Sequence, residues 1–112
     1  MEVKATAREI PASPRKVRLI LERLPGMGID QALALLRYAP SPHARSVSKV
    51  VLSAAANAEN NFDLDTDDLV IKRAFADEGR TLKRFKPRSR GRVAPRLKRY
   101  SHITIVLDER EA

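Results

Sequence analysis

The residues with the most chemistry in them lie between positions 80 and 99. Arg80, Lys83, Arg84, Lys86, Arg88, Arg90, Arg92, Arg96, Lys98 and Arg99 put seven arginines and three lysines into this stretch, with no acidic residue among them. Arginine presents a planar fork of donors that matches phosphate oxygens, and lysine a compact point charge. An ordinary solvated charge run interleaves both signs; this one does not, and points to a polyanion. Phe85 and Tyr100 are the only aromatics beyond Asp77, too few for a base-stacking platform along the run. The expected contacts are with backbone and grooves. If six to eight of these cations each met a phosphate, log affinity would fall with log salt at a slope of about −5 to −7.

A second basic cluster, Arg15, Lys16 and Arg18, follows Ser13-Pro14, a pair that reads as a helix N-cap with proline at the first helical position. Positive charge there opposes the helix macrodipole. The placement is locally unfavourable and hints at a use, because free N–H groups together with Arg and Lys make a phosphate site. Ordinary surface charge is the competing reading.

The remaining candidates for chemistry are weak. Asp63, Asp65 and Asp67 are spaced like the start of a calcium loop. Asp68 stands where that loop needs glycine, and Ala74 where it needs a bidentate glutamate. His43 and His102 are the only histidines, and cysteine is absent, which removes disulfides, thiol nucleophiles and cysteine-based zinc sites. The four glycines are not clustered, and neither a phosphate-binding loop nor a nucleophile elbow is present. The expectation is a protein that is not an enzyme, with no metal and no cofactor.

The charge distribution sharpens this. The 112 residues carry a net charge of +8; taking away the ten positive charges of 80–99 leaves −2 on the other 92 residues. An anionic membrane or an acidic protein would also attract such a segment, but its arginine excess favours nucleic acid. The longest strictly apolar run, Ala32–Leu36, has five residues, against about 20 for a membrane span. Met1–Ile10 already carries Glu2, Lys4, Arg8 and Glu9, unlike a signal peptide. A soluble chain folding as one domain over residues 1–112 is expected, with no membrane partner and no stable homo-oligomer.

Several elements must position these residues. Val3, Ala5 and Ala7 alternate with polar neighbours and predict a short strand. After Ser13-Pro14, a helix with Val17, Ile20, Leu21 and Leu24 on one face is expected to end at Pro25-Gly26. A second helix runs from about Ile29 or Asp30 to Tyr38. Ser41-Pro42 repeats the opening device and predicts a third, longer helix to about Asn60, with Val47, Val50, Val51, Ala54, Ala55 and Ala58 inward. Its Ala54-Ala55-Ala56 run lets other elements approach closely, and it is expected to form the centre of the core. Asn57, Asn60 and Asn61 near its end either cap and turn the chain or contact RNA. A polar link follows, and strands are predicted over Leu69–Phe75 and Ile103–Leu107. The fold class is α+β: a small three-stranded antiparallel sheet packed on three helices. The stretch 80–100 between the last two strands has too few apolar residues for a core of its own. It is predicted to leave the domain and return as a long basic β-hairpin arm turning near Arg90-Gly91 and reaching roughly 30 Å. Such a ribbon is marginal alone and is expected to be mobile when free and ordered on a polyanion.

Six segments in this order resemble a known family: Ser13-Pro14-Arg15-Lys16-Val17-Arg18, Ser53 through Asn61, Asp77-Glu78-Gly79, Leu82-Lys83-Arg84, Pro87 through Arg92, and Ser101 through Val106. Together they are similar to the bacterial-type large ribosomal subunit protein twenty-two family, over Val3 to Leu107. The resemblance implies a compact α+β domain with a long hairpin arm. It also implies a structural role in the large subunit, binding its ribosomal RNA, aiding assembly and touching neighbouring ribosomal proteins. It places the domain on the outer surface of the subunit, near the tunnel exit. The arm tip, Arg88, Ser89, Arg90, Gly91 and Arg92, would line the polypeptide exit tunnel and meet the nascent polypeptide. Leu82-Lys83-Arg84 matches the family segment associated with macrolide response. The implied location is cytoplasmic, in the large ribosomal subunit, or an organelle stroma. Two departures stand out: Arg80 occupies a position where proline is common in the family, and Pro95 removes a ladder donor, so broken pairing is expected there. From the residues alone, a DNA-architectural protein with a basic β-arm and a nuclease using the acidic link are the alternatives.

Overall fold

The structure is a computed structural model and describes residues 2–87 and 93–109. Its elements follow in the order β1 (Val3–Ile10), α1 (Pro14–Leu21), α2 (Ile29–Tyr38), α3 (Ala44–Phe62), a 3-10 turn (Thr66–Asp68), β2 (Leu69–Pro87) and β3 (Val93–Glu109). The three strands form one antiparallel sheet in the order β1-β3-β2, so the α+β class and the three-by-three count stand as expected from the sequence.

The alternation in β1 and β3 decides which face is covered. Val3 and Ala5 of β1 and Ile103, Ile105 and Leu107 of β3 are buried in the core cluster. They meet Val17, Leu21, Val47, Val51, Ala54 and Ala58 from the helices. The alanines of α3 act as predicted: Ala54 and Ala58 are fully buried, and their small side chains let the helix lie close against the sheet.

Element ends differ from expectation in informative ways. Ser13 does cap α1, its Oγ accepting the Lys16 N–H. The helix stops at Leu21, before Pro25-Gly26, and Leu24 is buried from the following turn. Ser41-Pro42 does not repeat the device: Ser41 Oγ accepts the His43 N–H in a turn, and α3 begins at Ala44 behind His43. The helix then runs on to Phe62 and is closed by Asp63 in the left-handed region (φ 53°), whose N–H reaches Ala58 O. Asn60 and Asn61 therefore lie inside the last turn and cap nothing. Asn57 donates from Nδ2 to Lys4 O at 3.5 Å, tying α3 to β1.

The outer edge of β2 is covered near its start. Gly26 N–H donates to Ile71 O at 2.7 Å and Ile71 N–H to Met27 O at 2.8 Å. The last two strands are far longer than the apolar runs that announced them, because they continue past a bulge between Glu78 and Thr81 into the arm. Thr81–Pro87 pairs with Val93–Arg99 in an unbroken register that includes Phe85 opposite Pro95. The expected break at Pro95 does not occur. In a two-stranded ribbon each strand is an edge, so a residue without an N–H can turn that side to solvent. The expected tip, Arg88, Ser89, Arg90, Gly91 and Arg92, lies outside the described residues. The radius of gyration, 17.1 Å, exceeds the roughly 13 Å of a compact chain of this size.

Candidate nucleic-acid interface

Two basic clusters that lie more than sixty positions apart in the chain meet where the arm leaves the sheet. Ser13, Pro14, Arg15 and Arg18 from the start of α1, Glu78 of β2 and Arg99 of β3 line one hollow of about 430 Å³. Three guanidinium groups thus share a concavity with one carboxylate. The first turn of α1 contains no acidic residue, and with Pro14 lacking an N–H and the Lys16 N–H taken by Ser13, it is chiefly the helix dipole that adds to the positive field. Arg15, Lys16 and Arg99 are exposed.

The arginines do not all have the same freedom. Arg18 donates from Nε (3.0 Å) and Nη2 (2.7 Å) to the carbonyl oxygen of Ala76. It thereby covers the β2 edge five residues beyond the Ile71 contacts and ties α1 to the arm-bearing strand. Its second terminal nitrogen still has donors to offer a phosphate. Arg80 is held twice: its Nε lies 2.8 Å from Glu9 Oε2, and its guanidinium carbon lies 5.2 Å from the centre of the Tyr100 ring. Arg80 is therefore a brace at the arm root. No sequence spacing announces either contact, because the partners are 58 and 71 positions away.

The root is shaped by two bulges, one in β1 between Ala7 and Ile10 and one in β2 between Glu78 and Thr81. Glu9 sits in the first with a positive φ of 57°, and its N–H donates to His102 Nδ1 at 3.2 Å. Gly79 sits in the second. A Cβ on Gly79 would stand 3.0 Å from Tyr100 O and 3.3 Å from His102 Cε1, so the strand approach there leaves little room for a larger side chain. His102 thus serves the bulge, and among the described residues no group of three or more His, Asp or Glu side chains could hold a metal.

Beyond the root, Lys83 pairs in register with Leu97, Leu82 with Lys98 and Thr81 with Arg99. Lys83, Lys98 and Arg99 are exposed, and Leu97 is 49% exposed. Arg84, Lys86 and Arg96 follow in the same ladder, Arg84 opposite Arg96 and Lys86 opposite Ala94. Arg88, Arg90 and Arg92 lie outside the described residues.

Far from this basic region, Glu2, Lys72, Arg73 and Asp108 form an exposed ion cluster at the opposite end of the sheet. The Lys72 ammonium holds the Glu2 carboxyl below its usual range, and Glu2 in turn raises Lys72.

The chain is similar to known proteins over nearly its whole length. The family model described as "Ribosomal protein L22p/L17e" matches residues 5–108. "Large ribosomal subunit protein uL22" of Clostridium novyi (strain NT) is 50% identical over 110 residues, 98% of this chain and 99% of that one. The proteins of the same name from Staphylococcus haemolyticus (strain JCSC1435) and Staphylococcus epidermidis (strain ATCC 12228 / FDA PCI 1200) are each 50% identical over 109 residues, 97% of this chain and 93% of theirs. With a family match over nearly the whole chain and relatives of nearly equal length, the chain belongs to the ribosomal protein L22p/L17e family and is a structural protein rather than an enzyme.

Proposed function

We propose that this chain is a structural component of the large ribosomal subunit, in the cytoplasm, that binds large-subunit ribosomal RNA and aids assembly. The observation that carries the reading is the convergence of Arg15, Arg18 and Arg99 in one hollow at the root of the 80–100 arm. Globular domain and arm then present one continuous basic surface. The domain residues Arg15, Lys16 and Arg18 contact RNA phosphates. The arm cations from Lys83 to Arg99 thread between RNA segments. Selectivity comes from fitting a folded RNA surface, because A-form grooves offer side chains little direct base reading. In this reading the tip, Arg88 to Arg92, lines the polypeptide exit tunnel and meets the nascent chain. Neighbouring ribosomal proteins pack around the domain, and the chain forms no stable homo-oligomer. Arg80 serves RNA binding indirectly, by setting the angle at which the arm leaves.

The test is co-sedimentation. In a density gradient of native lysate, the protein is expected with the large ribosomal subunit, and it should stay there through a high-salt wash. Recovery as free protein, or with the DNA-bound fraction, overturns the reading. Purified protein should bind a large-subunit ribosomal RNA transcript with a log–log salt slope of about −5 to −7, corresponding to six to eight phosphate contacts.

A further inference from the structure

The helices cover one face of the sheet; the other face carries an aromatic ring that the core does not use. Phe75 lies in β2 between Ala74, which packs on the core, and Ala76, which is buried within it. Strand alternation therefore turns Phe75 to the opposite face. It is 38% exposed and is not among the residues packed against the core cluster. Thr104 stands opposite it in register, and Thr6 stands opposite Thr104 on the far side. The two threonine hydroxyls are 3.2 Å apart. The next row along is Lys4, Val106 and Arg73. Lys4 and Arg8 are exposed, and the Arg73 side chain is 60% exposed while sharing Glu2 at 3.4 Å. Asp77 is the next outward residue of β2, opposite His102.

We propose that this open face is a stacking site for one unpaired RNA base, with Phe75 as the platform. The inference rests on the RNA-binding reading above. An aromatic face accepts any base by stacking. The exposed Thr6 hydroxyl, held by the buried Thr104 hydroxyl, can donate and accept, which suits a base edge or a ribose hydroxyl. Lys4, Arg8 and Arg73 around the ring fit the flanking phosphates. A protein partner fits poorly: Val106 and Thr104 are 3% and 5% exposed, so the ring supplies nearly all the accessible apolar surface at the middle of this face. That is far below the roughly 800 Å² per partner of a stable protein interface. The face also runs on towards the basic arm along β3, where alternation keeps His102, Tyr100 and the exposed Lys98 on the side of Thr104.

Full-length protein and a large-subunit ribosomal RNA transcript give the test. Phe75→Leu should weaken binding about five- to a hundred-fold, the loss of one stacked base, and leave the salt slope unchanged. Phe75→Tyr should restore wild-type affinity. Wild-type binding with the salt slope above, matched by Phe75→Leu, overturns the stacking site and leaves the RNA-binding reading intact. Wild-type protein that does not bind the transcript overturns both. A measurement without substitution guards against a misfolded variant: ultraviolet crosslinking of wild-type protein to a 4-thiouridine transcript, with the adduct mapped by mass spectrometry. An adduct within Arg73–Asp77 is expected, and its absence overturns the proposal.

Discussion

Replacing Arg18 by methionine separates two roles that the guanidinium can hold at once. The substitution keeps an unbranched stem of similar length and removes the donors to Ala76 O, at 3.0 and 2.7 Å. A hydrogen bond with one charged partner contributes about 1.5–3 kcal/mol. Arg18 is exposed and Ala76 is buried, so solvent screening puts the value at or somewhat below the low end of that range, about 1–2 kcal/mol. A domain of this size shifts its melting temperature by about 4 °C per kcal/mol, which puts Arg18→Met about 4–8 °C below wild type. Arg15 provides the control. It lines the same hollow and makes no hydrogen bond or ion pair among the described residues. Arg15→Met should therefore melt with wild type and lose only RNA affinity, with a salt slope shallower by about 1. The assay pairs thermal unfolding with a salt titration of RNA binding for both variants. If Arg18→Met melts with wild type, the tie to Ala76 does not hold α1 to the arm-bearing strand, and the reasoning fails.

Three further outcomes are expected. Gly79→Ala places a Cβ 3.0 Å from the Tyr100 carbonyl oxygen; backbone cannot yield as a flexible side chain can, so overpacking should cost about 1–3 kcal/mol, read by chemical denaturation. Ala55→Leu, on the buried stripe of α3, should lower stability by a similar amount, visible as a lower denaturation midpoint at constant m-value. The third concerns pH. Glu2 is depressed by Lys72, so its contribution is present above the ordinary value of 4.5 and is lost as pH falls through the lower folded value. Lys72 is raised by Glu2, so its contribution is present below 10.5 and is lost as pH rises through the higher folded value. Glu2→Gln should accordingly flatten a small, salt-sensitive part of the stability profile at both extremes, and an unchanged profile would count against the pair.

What could be read in the sequence was what local rules govern. The basic run at 80–99 has no partner of opposite sign within it, and the strands on either side of it are antiparallel neighbours, so a protruding hairpin was legible before any coordinates. Ser13-Pro14 was read correctly as a cap. The identical pair Ser41-Pro42 misled, because serine can satisfy a turn N–H as readily as a helix N–H, and the turn won. Arg15, Arg18 and Arg99 were each singled out, but their meeting was invisible, since it depends on α1 lying along the arm root. The tie from Arg18 to Ala76 and the bracing of Arg80 by Glu9 and Tyr100 were missed for the same reason. Phe75 was hidden in an apolar strand pattern; the alternation Ala74-Phe75-Ala76 was the one signal that could have set it apart.

The strand order β1-β3-β2 also bears on how the chain reaches its fold. The central strand is synthesised after both of its neighbours. Thr6 must wait for Thr104, 98 residues later, and among the described residues β1 pairs only with β3. Until β3 inserts, α3 has only an incomplete sheet to cover, and the apolar faces of β1 and β2 have no bridge between them. Closing so long a loop makes the non-local pairing the slow step, and strand edges left unpaired meanwhile are prone to associate with other chains. Sheet completion and arm formation are then one event, because the β3 segment that closes the core continues directly into the arm's β2 pairing.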